Sequence, residues 1–432
     1  MKIAYIAAGA AGMYCGSCLH DNTLAAAMLR QGEDVVLVPT YTPIRTDAVD
    51  VSHNRVFMGG VNAYLLQTSR LFRLMPRWLT GLLDRPGFLS YVTRGAGSVD
   101  PAKLGGMTVS MLQGELGNQA AQLDELVDWL LEEIKPDVVH LSNSMLIGMA
   151  RRINERCGPP VVCALSGEDI FLEALRPPHY EQARELLRER AAEVQAFTAL
   201  NGYYADFMAD YLSVDRQKVH VIPHGLNLEG HGKPDDDQGS PTQTVGYLAR
   251  ICHDKGLHLL VEACTHLAAS RPDLDFRVKA AGYLGKADRA YLSAVTEQAN
   301  SGPLAGRFEY LGELDRDQKL TFLKSLDVFS TPTVYRESKG LPAIEALANG
   351  VPLVLPEHGA FPEFVRHTGG GLLFPPGDVN ALAAQIARLL TERAFAKQLS
   401  DEGHGVVHDH YHDERMARET VSLYQELAAS KA

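Results

Sequence analysis

YRESKGLPAIEALANGVPLVLP, residues 335–356, changes character twice along its length. Pro342 stands where proline fits a helix best, in the first turn, and Gly350 stands where a helix stops. AIEALA between them is helical, and VPLVLP after them is an apolar run of strand length. Loop, helix and strand in that order belong to a parallel sheet, whose strands need a crossover between them. Glu337 falls in the loop before the helix and Glu345 about one turn inside it. The backbone N–H groups of Lys339, Gly340 and Leu341 fall at the helix mouth, where the peptide dipoles favour an anion.

The same rhythm runs outward in both directions. Downstream come the strand GLLFPP and the helix VNALAAQIARLL. Upstream are the strand TVGYLAR, helix GLHLLVEACTHLAA, strand DFRVKAAG, helix KLTFLKSLD and strand VFSTPT. The chain also begins this way: strand KIAYIAA, a Gly-rich turn, helix DNTLAAAMLRQG with Asp21 or Asn22 as N-cap, then strand DVVLVPT. Helix DELVDWLLEEIKP leads into DVVHLSN, and helix MLIGMARRINERCG into PPVVCALSG. Between the two series, VHVIPHGLNL ends in the polar, Gly- and Pro-rich EGHGKPDDDQGSPTQ. This pattern predicts two doubly wound, Rossmann-like α/β domains, 1–228 and 242–412, joined by a linker at 229–241 and followed by a helix at 413–432. A ligand is expected in the cleft between them, at the C-terminal ends of the strands.

Composition narrows the function. Forty-one basic residues against 53 acidic ones give a net charge of −12, which argues against nucleic acid as a partner. Six cysteines in 432 residues make no disulfide framework and fit a reducing cytoplasm. Cys15 and Cys18 form a C-x-x-C, yet no second such pair, no His pair and no adjacent haem-type His accompanies them. They are read as small residues of the strand-to-helix loop, with Gly9, Gly12 and Gly16 as the part that approaches a ligand. The spacing of these glycines is not G-x-G-x-x-G, against a dinucleotide oxidoreductase. Carboxylates beside an anion site suit a ligand with both hydroxyls and phosphate, such as a nucleotide sugar. Arg250 after a strand end, and Lys255 opening the next helix, would neutralise a diphosphate as it leaves.

The pattern E-x-x-G-L-P-x-x-E-A-x-A-x-G-x-P, from Glu337 to Pro352, resembles the signature of the family-four retaining glycosyltransferases of GT-B fold. The resemblance continues in VHVIPHGLNL, GYLARICHDKGLHLL, FEYLGEL, SLDVFSTPT, GAFPEFV and GGGLLFPPGDVNALA. It implies that Arg250 and Lys255 bind the donor diphosphate, that Glu337 contacts donor-sugar hydroxyls near the reacting carbon, and that Glu345 holds the ribose. Gly12 would bring backbone N–H groups to the donor, with Lys339, Gly340 and Leu341 on its other side. The nucleotide sugar is then a co-substrate, with no cofactor and no metal, and UDP is favoured while GDP and ADP stay open. The acceptor would be a sugar, a lipid or a small molecule. The last helix would cross back onto the first domain.

This sequence departs from the family in two places. Ser166 stands where many relatives have His, leaving Glu168 or Asp169 to take acceptor hydroxyls. Lys339 replaces an aromatic two residues after the first Glu. Residues 64–94 interleave Arg70, Arg73, Arg77, Arg85 and Arg94 with Phe72, Trp78, Phe88 and Tyr91. Helices packed on the first domain, an acceptor pocket and a peripheral contact with the inner membrane face are its three readings. His404, His408, His410 and His412 are read as solvated residues before the last helix. The rival functions are a nucleotide-sugar epimerase or phosphorylase on the same fold, and a non-catalytic sensor working through Cys15 and Cys18.

Overall fold

The computed structural model describes residues 1–9, 16–53, 56–58, 101–233 and 242–430. The chain forms two compact units, one of Met1–Gly225 with Asp413–Ala432, the other of Leu226–His412.

The first unit holds β1 (Lys2–Ala7), β2 (Asp34–Pro39), β3 (Val138–Leu141), β4 (Val161–Leu165), β5 (Ala196–Ala199) and β6 (Val219–Val221). They pair in parallel in the order β2-β1-β3-β4-β5-β6. Side chains alternate across the sheet: Ala4 and Ile6 enter one core cluster, and Ile3, Tyr5 and Ala7 enter the other. Both faces are therefore buried, as a parallel sheet requires. The helix Asp413–Ala429 packs on the helix Gly16–Arg30, its Met416, Ala417, Val421 and Tyr424 closing the second cluster. Arg30 pairs with Asp413 at 2.5 Å, and the Tyr424 hydroxyl meets His140 Nδ1 at 2.6 Å.

The second unit repeats the plan with β7 (Gln243–Leu248), β8 (Phe276–Ala281), β9 (Phe308–Tyr310), β10 (Val328–Phe329), β11 (Leu353–Pro356) and β12 (Gly371–Phe374). The parallel order is β12-β11-β10-β7-β8-β9. Chain order reverses between β10 and β7, so the segments leaving these strands diverge and open a crevice at their C-terminal ends. Val245, Tyr247, Phe276 and Val278 pack one face, and Leu248, Phe329 and Leu353 pack the other with Ile344 and Leu347. That second face carries the helix Leu341–Ala348.

Two sequence expectations need correction. The first helix starts at Gly16, so Asp21 and Asn22 lie inside it and cap nothing. Their polar groups are spent on tertiary bonds: Asp21 accepts from the Tyr5 hydroxyl at 2.8 Å, and Asn22 bonds both Val49 O and Val51 N. Cys18 is likewise a buried helical residue rather than part of a loop. His404, His408 and His410 belong to the helix Arg393–His410, where i, i+4 spacing stacks the rings of His404 and His408 at 4.1 Å. Gly12, Cys15 and the segment 64–94 lie outside the described residues.

Candidate functional site

The crevice between β7 and β10 gathers residues from two loops. Gly256, at φ +75°, lets the loop after β7 lie against the segment after β10; a Cβ there would sit 1.8 Å from the Pro332 carbonyl oxygen. Val334 N–H donates to Asp254 O at 2.8 Å and completes the contact. Lys255 is thereby laid over residues 335–337. Its Nζ is 2.7 Å from Glu337 Oε2, which also accepts from the Tyr335 hydroxyl at 2.8 Å. Lys255 Nζ donates to the Tyr335 oxygen as well. Glu337 Oε1 accepts the N–H groups of Ser338 and Lys339, each at 3.2 Å.

The backbone of Glu337 is held from the far side. Ala360 N–H donates to Glu337 O at 2.8 Å, and Gly359, at φ +61°, leaves room where a Cβ would come within 2.4 Å of that oxygen. Glu337 is thus a buried carboxylate in a rigid frame. Burial pushes its carboxyl up, but the Lys255 charge and the hydrogen bonds from Lys255, Tyr335 and the Lys339 amide outweigh it and hold it down at about 2. Burial, then the Glu337 charge, push the Tyr335 phenol well above its ordinary value, so it stays protonated.

Glu345 belongs to a second ion pair. Its carboxylate is 2.5 Å from Lys319 of the helix Arg316–Lys324, and both side chains are nearly buried. Asn349 Nδ2 donates to Glu345 O at 2.8 Å and lies 2.9 Å from His231 Nδ1. Burial, then the charges of Lys319 and Arg316, push His231 down to about 3.

The structure therefore brings Lys255, Glu337 and the Lys339 amide together. Arg250 lies two residues past β7 with its side chain exposed. Of the amides expected to face an anion, that of Lys339 is taken by Glu337, a correction that follows from the loop folding its own carboxylate inward. Gly340 and Leu341, at the mouth of the helix, have no protein acceptor for their N–H groups among the described residues. Sequence reading missed Tyr335 and Lys319. Tyr335 opens the stretch that decides the fold, but its role needs the partner loop; Lys319 meets Glu345 only through packing of two helices.

In the first unit, β4 runs into Ser166, Gly167, Glu168 and Asp169. Glu168 is buried and bonded to backbone of two loops: Oε1 accepts Ser144 N–H, beyond β3, at 2.8 Å and Oε2 accepts Ser166 N–H at 2.7 Å. The Tyr204 oxygen accepts Gly167 N–H at 2.8 Å, and its hydroxyl donates to Asp169 at 2.7 Å. Burial raises the Asp169 carboxyl, against the Tyr204 bond. Among the described residues no group of three or more His, Cys, Asp or Glu side chains is placed to hold a metal ion, and no helix is long and apolar enough to cross a membrane.

Comparison with known proteins defines the class first. Over its whole length the chain is similar to sucrose-phosphate synthase from Thermosynechococcus elongatus, with a TM-score of 0.73, 18% identity and 100% of both chains covered. Anabaena HepE, solved in complex with UDP and glucose, follows with a TM-score of 0.69, 15% identity and coverage of 99% of this chain and 100% of that one. The fold is that of the two-domain GT-B glycosyltransferases. Residues 22–225 match the family described as glycosyl transferase 4-like domain, and residues 235–405 match glycosyl transferases group 1. The two matches together account for most of the chain, which belongs to the group 1, family-four type glycosyltransferases.

Among curated relatives, the lipopolysaccharide core biosynthesis mannosyltransferase LpsB of Rhizobium meliloti is 29% identical over 270 residues, 60% of this chain and 72% of that protein. The phosphatidyl-myo-inositol mannosyltransferase of Mycobacterium leprae is 27% identical over 212 residues, 48% of this chain and 54% of that one. The chain thus spans about half the length of the second relative.

Proposed function

We propose that this chain transfers a hexose from a nucleotide-diphosphate sugar to a hydroxyl of a sugar, lipid or small molecule, with retention and without a metal. The observation that carries this reading is Glu337, ionised and rigidly framed beside Lys255 in the crevice where β7 and β10 diverge. An ionised carboxylate accepts hydroxyl hydrogens of a sugar and has no proton to give. Lys255 and Arg250 would supply the positive charge that a departing diphosphate needs, and the Gly340 and Leu341 amides would take further phosphate oxygens. Gly12 would approach from the first glycine loop, and Lys339 from beside Glu337. Glu345, next to Lys319, would accept the ribose hydroxyls.

In the step itself, the bond from the sugar's anomeric carbon to phosphate breaks and its electron pair stays on the phosphate oxygen. The acceptor oxygen bonds to the same face of that carbon, and its proton passes to the phosphate oxygen. No side chain has to act as base. Ser166 and Asp169 would meet the acceptor, while Glu168 shapes their loop. UDP is the favoured nucleotide; HepE, of the same fold, is described in complex with UDP and glucose. The relatives named for lipopolysaccharide core and phosphatidyl-myo-inositol support a lipid-linked acceptor, and with it a cytoplasmic protein working at the inner membrane face.

The test is thermal stabilisation and slow hydrolysis with a panel of UDP-, GDP- and ADP-sugars in EDTA. One donor that both stabilises and is hydrolysed supports the reading, and the anomeric configuration of a product, read by NMR, decides retention. No stabilisation by any donor refutes it. Conversion of the sugar without any acceptor would assign an epimerase instead.

A further inference from the structure

Glu337 has no acceptor capacity to spare in the ligand-free protein. An ionised carboxylate offers about four lone-pair sites. Ser338 N–H and Lys339 N–H lie on Oε1, and the Lys255 ammonium and Tyr335 hydroxyl lie on Oε2. A donor-sugar hydroxyl can bind only if one of these leaves. The two amides are fixed in a backbone that Ala360 and Gly359 pin from behind. Lys255 has an alternative partner, the diphosphate of the same ligand. Tyr335 is tethered two residues from Glu337, and its ring lies 4.8 Å beneath the Lys255 ammonium.

The directions of these bonds form a closed set. Lys255 donates to the Tyr335 oxygen and to Glu337 Oε2; Tyr335 accepts from Lys255 and donates to Glu337 Oε2. When the lysine leaves, the tyrosine hydroxyl still holds Oε2.

We propose that Tyr335 is a positioning residue of the donor site: it keeps Glu337 Oε2 in place while the Lys255 ammonium turns from the carboxylate to the donor diphosphate. Phosphate recognition and sugar recognition are thereby coupled. Drawing Lys255 away opens a site on Glu337 that a sugar hydroxyl fills. A free nucleoside diphosphate draws the lysine away and fills nothing, so the intact donor is favoured over the spent nucleotide. This inference rests on the donor-site reading above.

The probes are UDP-glucose with UDP, GDP-mannose with GDP, and ADP-glucose with ADP, titrated against the wild-type chain and Tyr335→Phe. Phenylalanine keeps the ring and removes only the hydroxyl, and the melting temperature of each protein reports that the fold is intact. Loss of one hydrogen bond to a charged group should lower kcat about 10- to 100-fold, with binding of the free nucleotide unchanged. The acid limb of the kcat profile should move to higher pH, which a merely structural tyrosine would not cause. Wild-type kcat and an unmoved acid limb in Tyr335→Phe overturn the proposal. So does an equal loss of affinity for the sugar nucleotide and the free nucleotide, which would make Tyr335 part of phosphate binding alone. If the wild-type chain binds none of the six probes, the donor-site reading itself falls and takes the proposal with it; that outcome is read before any variant is made.

Discussion

Glu337 and Glu168 are the same residue in closely similar settings. Each is buried in the loop that follows a strand of a parallel sheet, each accepts two backbone N–H groups, and each has a tyrosine oxygen near Oε2, at 2.8 Å for Glu337 and 3.3 Å for Glu168. They differ in how the tyrosine and the cation are used. At Glu337 the tyrosine comes from the same loop and a lysine from the neighbouring strand's exit is bonded to the carboxylate. At Glu168 the tyrosine comes from the helix Gly202–Leu212, takes Gly167 N–H and gives its one proton to Asp169, so the carboxylate itself ties its loop to the exit of β3. Glu337 is bonded to a lysine ammonium as well as to two backbone amides, whereas the two amides on Glu168 join one loop to another.

The strongest way to break this comparison is to neutralise both carboxylates at constant size. Glu337→Gln should cost about 10³-fold in turnover, the scale of removing one group that acts on the reacting charge, with little change in fold. Glu168→Gln replaces one acceptor oxygen by a donor facing a backbone N–H, and should cost about 1–3 kcal/mol of stability. Turnover per folded Glu168→Gln molecule should stay within about tenfold of wild type. Equal kinetic losses in two well-folded variants would show that Glu168 also works on substrate charge. Steady-state kinetics beside thermal melts separates the cases.

Lys319→Met examines the other glutamate of the motif. Removing one partner of a nearly buried ion pair should cost about 3–5 kcal/mol, read as a lower urea midpoint at unchanged m. If Glu345 also holds the ribose, discrimination between a donor and its 2′-deoxyribose analogue should shrink in the variant. Unchanged stability would mean that the Lys319–Glu345 pair is solvated in solution.

How much of this was legible in the chain follows from how far apart the interacting residues lie. The helix Leu341–Ala348 and its flanking strands were readable because proline, glycine and the apolar run lie next to one another, and so was Glu337 at its entrance. The first helix was misread at its start because Asp21 and Asn22 carry the side chains of caps, and only the positions of Tyr5 and the 49–51 backbone reveal their other use. The His404–His412 run does precede the last helix with His410 exposed, but its polarity hid the i, i+4 stack of His404 and His408. Tyr335 with Lys255, and Lys319 with Glu345, were illegible as pairs: each joins elements whose proximity the sheet order alone creates.

The carboxyl of Glu337 also makes a claim about acid stability. Its folded-state value, about 2, lies below the ordinary value of 4.5. The folded protein therefore binds fewer protons there than the unfolded chain, and the stabilisation is complete above pH 4.5 and lost as pH falls through 2. Burial also pushes His140 and His231 down to about 3, so neutral imidazole is favoured in the fold and stability declines from pH 6.5 downward. The declines from His140 and His231 are common to wild type and Glu337→Gln and cancel in their difference; His358, lowered by burial and raised by the Glu337 charge, does not cancel and favours wild type as pH falls below 6.5. The difference in unfolding free energy between them should shrink only between pH 4.5 and 2. A difference independent of pH across that window would show that Glu337 is not held ionised.

The smallest effect expected is at Lys339, where this chain departs from the aromatic of its family. Glu337 uses the amide of this residue, and an amide survives any substitution but proline. Lys339→Phe should leave stability within about 0.5 kcal/mol, as for a partly exposed side chain, and leave the acid limb of kcat where it is. If phenylalanine moves that limb, the lysine side chain contributes to the field at Glu337, and the contrast with Glu168 is one of total local charge rather than of the Lys255 partner. If only donor affinity changes, the side chain belongs to the ligand and the framing of Glu337 is complete without it.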